Sequence, residues 1–514
     1  MSLKMLALAS VAAAGLLVVL LWNPWKHSGS HGGNLTFYCA AGMTKPVQDV
    51  VQEYQREYGV TVQVEFGGSG KLLNTLKTVP DRGDLFLAAD ETYLELARKD
   101  GLAAEDLPVA LMHPVIAVAK GNPKGVRSIQ DLLREDVRVV LANPELASVG
   151  KLAKTRFEQA GLWSELMRQK DRYAAKVSTV GTVNEAAQAV SLGAAEAGVI
   201  WDALIPQYSG LEGVEVPELR SAEVGITLMV LARTTQPAAA LHFARFLTAR
   251  DKGGFVFAKH GFKPPPDADD WAERPKLNLF SGAMLKPGIE ETVKRFEKRE
   301  GVDVAINYNG CGILVSQMKG MKAVETPGAF PDAYFSCDLS YMEQVRDWFE
   351  AAVTISRNDM VLVVKKGNPL GFRSLADLAR PGQKLGLAHP VNSALGKLTD
   401  ELLIKTGERG KVYAAGNTVV HVDAGHMLVN QLRTGALDAI VVYRSNVASN
   451  PEILEQHLDL VDLDLPEALA TQPFAVAKDS NHKYLARRLL RAILAPETKA
   501  RFEQIGMQWL AEQP

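Results

Sequence analysis

Hydrophobic and polar positions in this chain follow two periods that take turns. LTFYC (35–39) carries apolar residues on both faces, which predicts a buried strand. After it Val47, Val50, Val51, Tyr54 and Tyr58 fall at helical spacing and give one helix an apolar stripe. Pro46 sits in the first turn of that helix, where a missing N–H costs nothing, and Gly59 stops it. VTVQVEF (60–66) predicts the next strand, KLLNTL (71–76) the next helix and DLFLAAD (84–90) a further buried strand. PVIAVAKG (114–121), VRVVLAN (137–143) and AGVIWD (197–202) continue the series, with helices between. Alternation of this kind predicts a mostly parallel sheet covered on both faces.

The series then begins again. KGNPKGVRSIQDL (120–132) returns as KGNPLGFRSLADL (366–378), and NPELASVGKL (143–152) as HPVNSALGKL (389–398). LGAAEAGVIW (192–201) returns as TGALDAIVVY (434–443), and LTFYCAAGMTKP (35–46) as LNLFSGAMLKP (277–287). The order is kept, so the chain is a tandem duplication, with a period too long for a solenoid. Each copy is expected to be a globular body. The expected divisions are 34–262, a proline-rich charged linker at 263–276, and 277–514. In the opening phrase the shared M-x-K-P words, with Lys45 and Lys286, imply one inserted residue before Gly301.

Composition narrows the class. The chain has 514 residues, 47% apolar and 23% charged, so disorder is not expected outside the ends. A net charge of −2 leaves no basic excess to neutralise phosphates, which argues against a nucleic-acid partner. Cys39, Cys311 and Cys337 make neither a CxxC pair nor a zinc spacing. The apolar run from Met5 to Trp22 follows Lys4 and reads as an export signal. Its 18 or so residues would reach about 27 Å as a helix, close to a bilayer core. Trp22 and Trp25 suit a membrane interface. Residues 5–22 are expected to be an uncleaved anchor to the inner membrane rather than a cleaved signal, with 27–33 as a tether.

The candidate chemistry lies in the turns. FGGSGKLL (66–73) misses the phosphate loop, because Leu72 follows Lys71 and position 65 is Glu65. It misses the hydrolase elbow because Lys71 stands where the last glycine should be. A strand, a glycine turn and a helix start remain, which is either an anion cradle or a turn that needs only positive φ. CAAGM and NPELASVG are similar turns. Ligands bind at the carboxyl ends of strands in a doubly wound sheet, so several helix N-termini could converge on one anion. Each N–H bond to a charged group contributes roughly 1.5–3 kcal/mol. About four to six of them, less association costs, reach the roughly 8–12 kcal/mol of micromolar to nanomolar binding. No nucleophile stands beside a base, so no enzyme, cofactor or catalytic residue is expected.

Each copy resembles the substrate-binding proteins of molybdate/tungstate ABC transporters, within the type II periplasmic-binding fold. The resemblance rests on CAAGMTKP, FGGSGKLL, GDLFLAADETYLE (83–95), ANPELASVGKLAK (142–154), TVNEAAQAVSLGAAEAGVIWDA (182–203) and RFLTARDKGGFVFAKHGF (245–262). It implies two tandem α/β units, each of two doubly wound lobes joined by a hinge that close on a tetrahedral oxyanion, preceded by an apolar helix. It places the ligand positions of the first copy at Gly42, Ser69, Val149, Val183 and Trp201. In the second copy they fall on Ala283 or Met284, then on Cys311, Leu395, Gly425 and Tyr443. Neither copy keeps the family's full set of hydroxyls.

Other readings stay open for some of these residues. Ser69 also suits a helix N-cap. Cys311, Met284, His426 and Cys337 would make a soft-metal site if they converged, although no metal is expected. Cys39 and Cys337 end apolar strands and read as core. Asp90 and Asp338 match between copies and read as structural caps or hinge anchors. The expected function is capture of a molybdate- or tungstate-like oxyanion outside the cytoplasm for an ABC permease. A membrane-tethered sensor or scaffold, in which one copy binds ligand and the other recruits a partner or holds a soft metal, is the alternative.

Overall fold

A computed structural model describes residues 33–79, 83–172, 176–324 and 328–512. The expected apolar anchor at 5–22 lies outside them. Among the described residues no helix is long and apolar enough to cross a membrane. The chain divides into two compact units, Met1–Leu247 with Val256–Lys263, and Thr248–Phe255 with Pro264–Pro514.

The first unit has two lobes, each built on a five-stranded sheet. In the first lobe Val62–Gly67, Leu35–Ala40 and Leu85–Ala88 run parallel, and Val224–Leu231 and Ala103–Met112 complete the sheet. The second lobe is ordered Val177–Val180, Val139–Ala142, Ala197–Trp201, Pro114–Ala119, Leu211–Val214. The strand run of 103–119 crosses between the lobes and is broken at His113. The stripe predicted on Thr44–Tyr58 turns inward, with Val47, Val50 and Tyr54 fully buried, and Gly59 ends the helix in the left-handed conformation. Tyr54 meets Phe243 and Phe246 edge-on at 4.9 and 5.2 Å, so this helix is fixed to Pro237–Thr248 by ring packing.

The second unit repeats the path with a different join. Val353–Lys365 is one continuous strand of 13 residues. Its first half pairs with Leu469–Val476 and its second half with Ala439–Tyr443, so both lobes share one sheet. Asp269 accepts the N–H groups of Tyr484 and Leu485 at 2.9 and 3.0 Å and caps the helix Lys483–Ile493.

The two units correct the inserted residue expected before Gly301. Leu35–Ala40 pairs residue for residue with Val62–Gly67, and Leu277–Gly282 with Val304–Asn309, at the same spacing. The short turns Ala41–Met43 and Ala283–Leu285 and the 15-residue helices that follow them keep that spacing to Gly59 and Gly301. Thr44, not Lys45, therefore stands where Lys286 stands, and Gly42 where Met284 stands. The shared M-x-K-P words sit one residue out of structural register.

The repeated phrase K-G-N-P-x-G-x-R-S folds identically in both units. Asn122 and Asn368 adopt φ of 45° and 43°. Each side-chain amide clasps the backbone four residues on, at Val126 and Phe372. Asp131 and Asp377 then close the loop on the N–H groups of Arg127 and Ser128, and of Arg373 and Ser374.

Candidate functional site

In the first unit all five expected ligand positions line one cleft between the lobes. Gly42 lies in the turn after the first strand, and Ser69 is the first residue of the helix Ser69–Thr78. Val149 and Val183 lie in the first turns of Ser148–Gln159 and Val183–Ser191, and Trp201 ends the strand Ala197–Trp201. Ala40, Ala89, Ser148 and Thr182 complete the wall, and no charged side chain lines it. Three helices thus direct first-turn N–H groups, which have no acceptor within their own helix, at one small space.

The glycines of FGGSG owe nothing to positive φ. Gly68 has φ −68° and ψ 140°, a conformation open to any residue. A Cβ on Gly68 would lie 2.1 Å from the carbonyl oxygen of Leu146 in the other lobe, and one on Gly70 2.7 Å from that of Glu145. Gly70 N–H donates to Leu146 O at 3.2 Å. The small residues let the second lobe close on the turn. Ser69 does not cap its helix; its Oγ accepts the N–H of Ala89 at 3.1 Å, which leaves its hydroxyl hydrogen to donate.

Two residues that sequence reasoning left out hold the lobes together. Ser148 Oγ donates across the cleft to Asp90, whose other oxygen caps the helix Glu91–Lys99 through Thr92 N–H at 2.8 Å. Asn184 Nδ2 donates to Ala41 O at 2.7 Å from the opposite lobe. Ser148 stands inside a phrase already notable for its repetition. The usable signal was the difference between copies, since its counterpart is Ala394. The cap reading of Asp90 and Asp338 agrees with the structure, as both accept an N–H two residues on. Cys39 is fully buried, and burial pushes its thiol pKa well above the ordinary range.

In the second unit Met284, Cys311, Leu395, Gly425 and Tyr443 stand at the matching places on the matching elements. A Cβ on Gly425 would touch Leu395 Cδ2 at 3.1 Å, and burial pushes the Tyr443 hydroxyl pKa well above its ordinary value. Gly312 N–H donates to Asn392 O at 3.1 Å, the counterpart of the Gly70 bond. Cys311 Sγ accepts the N–H of Cys337 at 3.0 Å, as Ser69 accepts that of Ala89. His426, which a four-residue soft-metal site would have needed, is exposed. Among the described residues no group of three or more histidine, cysteine or acidic side chains is placed to hold a metal ion.

Residues 35–263 and 277–508 each match the family described as bacterial extracellular solute-binding protein. A putative binding protein of Haemophilus influenzae is 33% identical over 147 residues, 29% of this chain and 58% of the length of that relative. The molybdate-binding protein ModA of Mycobacterium bovis is 28% identical over 236 residues, 45% of this chain and 85% of that one. The solved periplasmic molybdate-binding protein of Azotobacter vinelandii is 17% identical, covers 45% of this chain and 99% of its own, and has a TM-score of 0.39. The resemblance read from the residues is thereby borne out: this chain belongs to the bacterial extracellular solute-binding proteins and carries the unit of that family twice in tandem.

Proposed function

We propose that the first unit captures a tetrahedral oxyanion outside the cytoplasm and hands it to an ABC-type permease. The observation that carries this reading is the convergence of Gly42, Ser69, Val149, Val183 and Trp201 on one uncharged cleft between clasped lobes. Helix N-termini and a serine hydroxyl suit a fully ionised guest, because every contact is a donor and none must be neutralised. Molybdate and tungstate are the favoured ions, in line with the similarity to the molybdate-binding protein of Mycobacterium bovis. Trp201 offers an indole N–H where the family resemblance places a tyrosine hydroxyl. Residues 5–22 serve as the anchor that keeps the protein at the membrane, beside the permease.

The test is a calorimetric titration of the purified full-length chain with molybdate, tungstate, sulfate and phosphate. Saturable molybdate or tungstate binding without turnover, weakened about tenfold or more by Ser69→Ala, is expected from the loss of one charge-assisted hydrogen bond. Binding that is indifferent to Ser69→Ala would remove the first cleft from the proposal. Binding of phosphate or sulfate alone would reassign the ion.

A further inference from the structure

Four positions around one point differ between the units, and they differ together. Where the first unit has Ala40, Ser69, Ala89 and Trp201, the second has Gly282, Cys311, Cys337 and Tyr443. The glycine makes room for the sulfur. A Cβ on Gly282 would lie 2.2 Å from Cys337 Sγ and 3.3 Å from Cys311 Sγ, which bounds the separation of the two sulfurs at about 5.5 Å. Both cysteines are free, and both are buried.

The surroundings favour negative charge on sulfur. Cys311 opens the helix Cys311–Ala323, where the N-terminal dipole stabilises a thiolate. Its Sγ accepts Cys337 N–H at 3.0 Å, while the nearby Ser336 hydroxyl donates to Asp338 O at 2.8 Å. The Tyr443 hydroxyl, at the end of the matching strand, is buried without a hydrogen-bond partner. An anionic sulfur here repels a dianion. It suits a soft cation, since thiolates select copper(I) over hard metals.

We propose that Cys311 and Cys337 form a two-thiolate site for copper(I), so that the two units of this chain bind guests of opposite charge. Binding exchanges two protons for one metal ion: Cu⁺ and two thiols give a bis-thiolate complex of charge −1 and two protons released to solvent. The N-terminus of the helix opened by Cys311 and the Cys337 N–H offset the remaining charge. The site stands on the second unit alone and does not depend on which oxyanion the first unit takes.

The test uses the reduced full-length chain under anaerobic conditions, with copper(I) supplied as its acetonitrile complex and a chromophoric copper(I) chelator as competitor. One copper(I) per chain should resist the chelator. Cys311→Ser and Cys337→Ala should each lower retention at least tenfold, while Cys39→Ala retains it fully. Circular dichroism and a thermal melt of each variant report that it is folded. The triple variant Ala40→Gly, Ser69→Cys, Ala89→Cys should raise the stoichiometry to two. Equal retention in Cys311→Ser, no retention by the unaltered chain, or a Cys311–Cys337 disulfide whose reduced form takes no copper would each overturn the proposal.

Discussion

His113 and Asp359 hold the same place in the two units, at the point where the strand run passes from the first lobe to the second, yet one is a base and the other an acid. His113 Nδ1 lies 3.1 Å from Asp202 and Nε2 lies 2.9 Å from Glu215. In the second unit Asp359 faces Arg444 at 3.9 Å, and Arg444 reaches on to Asp462. Strand register makes Asp202 the counterpart of Arg444 and Glu215 that of Asp462. The cation has moved from one strand to its neighbour, and the acid has moved the other way.

His113→Ala should therefore destabilise more than Asp359→Ala. The first change empties a nearly buried imidazole site and takes a side-chain partner from largely buried Asp202 and half-exposed Glu215, a loss of about 1–2 kcal/mol. The second leaves Arg444 still bound to Asp462, a loss of about 1 kcal/mol or less. Urea melts of the two variants check this, and equal losses would contradict the reading.

Ser148→Ala removes the hydroxyl that reaches across the cleft to Asp90. A hydrogen bond to a charged group is worth about 1.5–3 kcal/mol. Some of that is recovered by water at Asp90 when the lobes part, so about a tenfold loss of oxyanion affinity in the first unit is expected. Calorimetry would show it as a faster dissociation rather than a slower association when paired with stopped-flow binding. Unchanged affinity would mean that the clasp does not bear on closure.

Gly68→Ala should block closure while leaving the fold intact. The backbone at Gly68 accepts alanine, but the new Cβ would sit 2.1 Å from Leu146 O. Affinity should fall at least tenfold with little change in the ligand-free melting temperature. Gly310→Ala should act alike in the second unit, where the Cβ would meet Asn392 O at 2.4 Å. A variant that binds normally would show that the lobes close less far than described here.

Acid should weaken the two clasped loops together. Hydrogen bonds from Arg127 and Ser128 hold the Asp131 carboxyl below its ordinary range; Asp377 is pushed up by burial but pulled down further by Arg373, Ser374 and Arg380. A folded pKa below the unfolded value contributes stability that is present above the unfolded pKa of about 3.9 and is lost as pH falls through the folded one. Replacing both by asparagine should cost about 1 kcal/mol each at neutral pH and flatten the melting profile below about pH 4. Parallel profiles for variant and unaltered chain would refute this.

The alternation of the parallel strands with helices, the duplication and the β→α turns that carry the cleft were legible in the sequence. They follow from side-chain period and from repeated phrases, which are local properties of the chain. Ala103–Met112, Leu211–Val214 and Val224–Leu231 were not read, and their antiparallel pairing makes both sheets of the first unit mixed. Ser69, Val149 and Val183 could be named only through the family resemblance, which places its ligand positions in the β→α turns. The repeated M-x-K-P words misled, because identical residues one place apart outweighed the glycines at 59 and 301 that keep the true register. The clasp of Ser148 on Asp90 joins residues 58 apart, the hinge contact of His113 with Glu215 residues 102 apart, and Cys337 meets Cys311 across 26. Such pairs depend on how two lobes approach and how neighbouring strands align. Periodicity sets which face of an element is buried, but distances between elements are set by packing, and only the folded chain decides which side chains meet there.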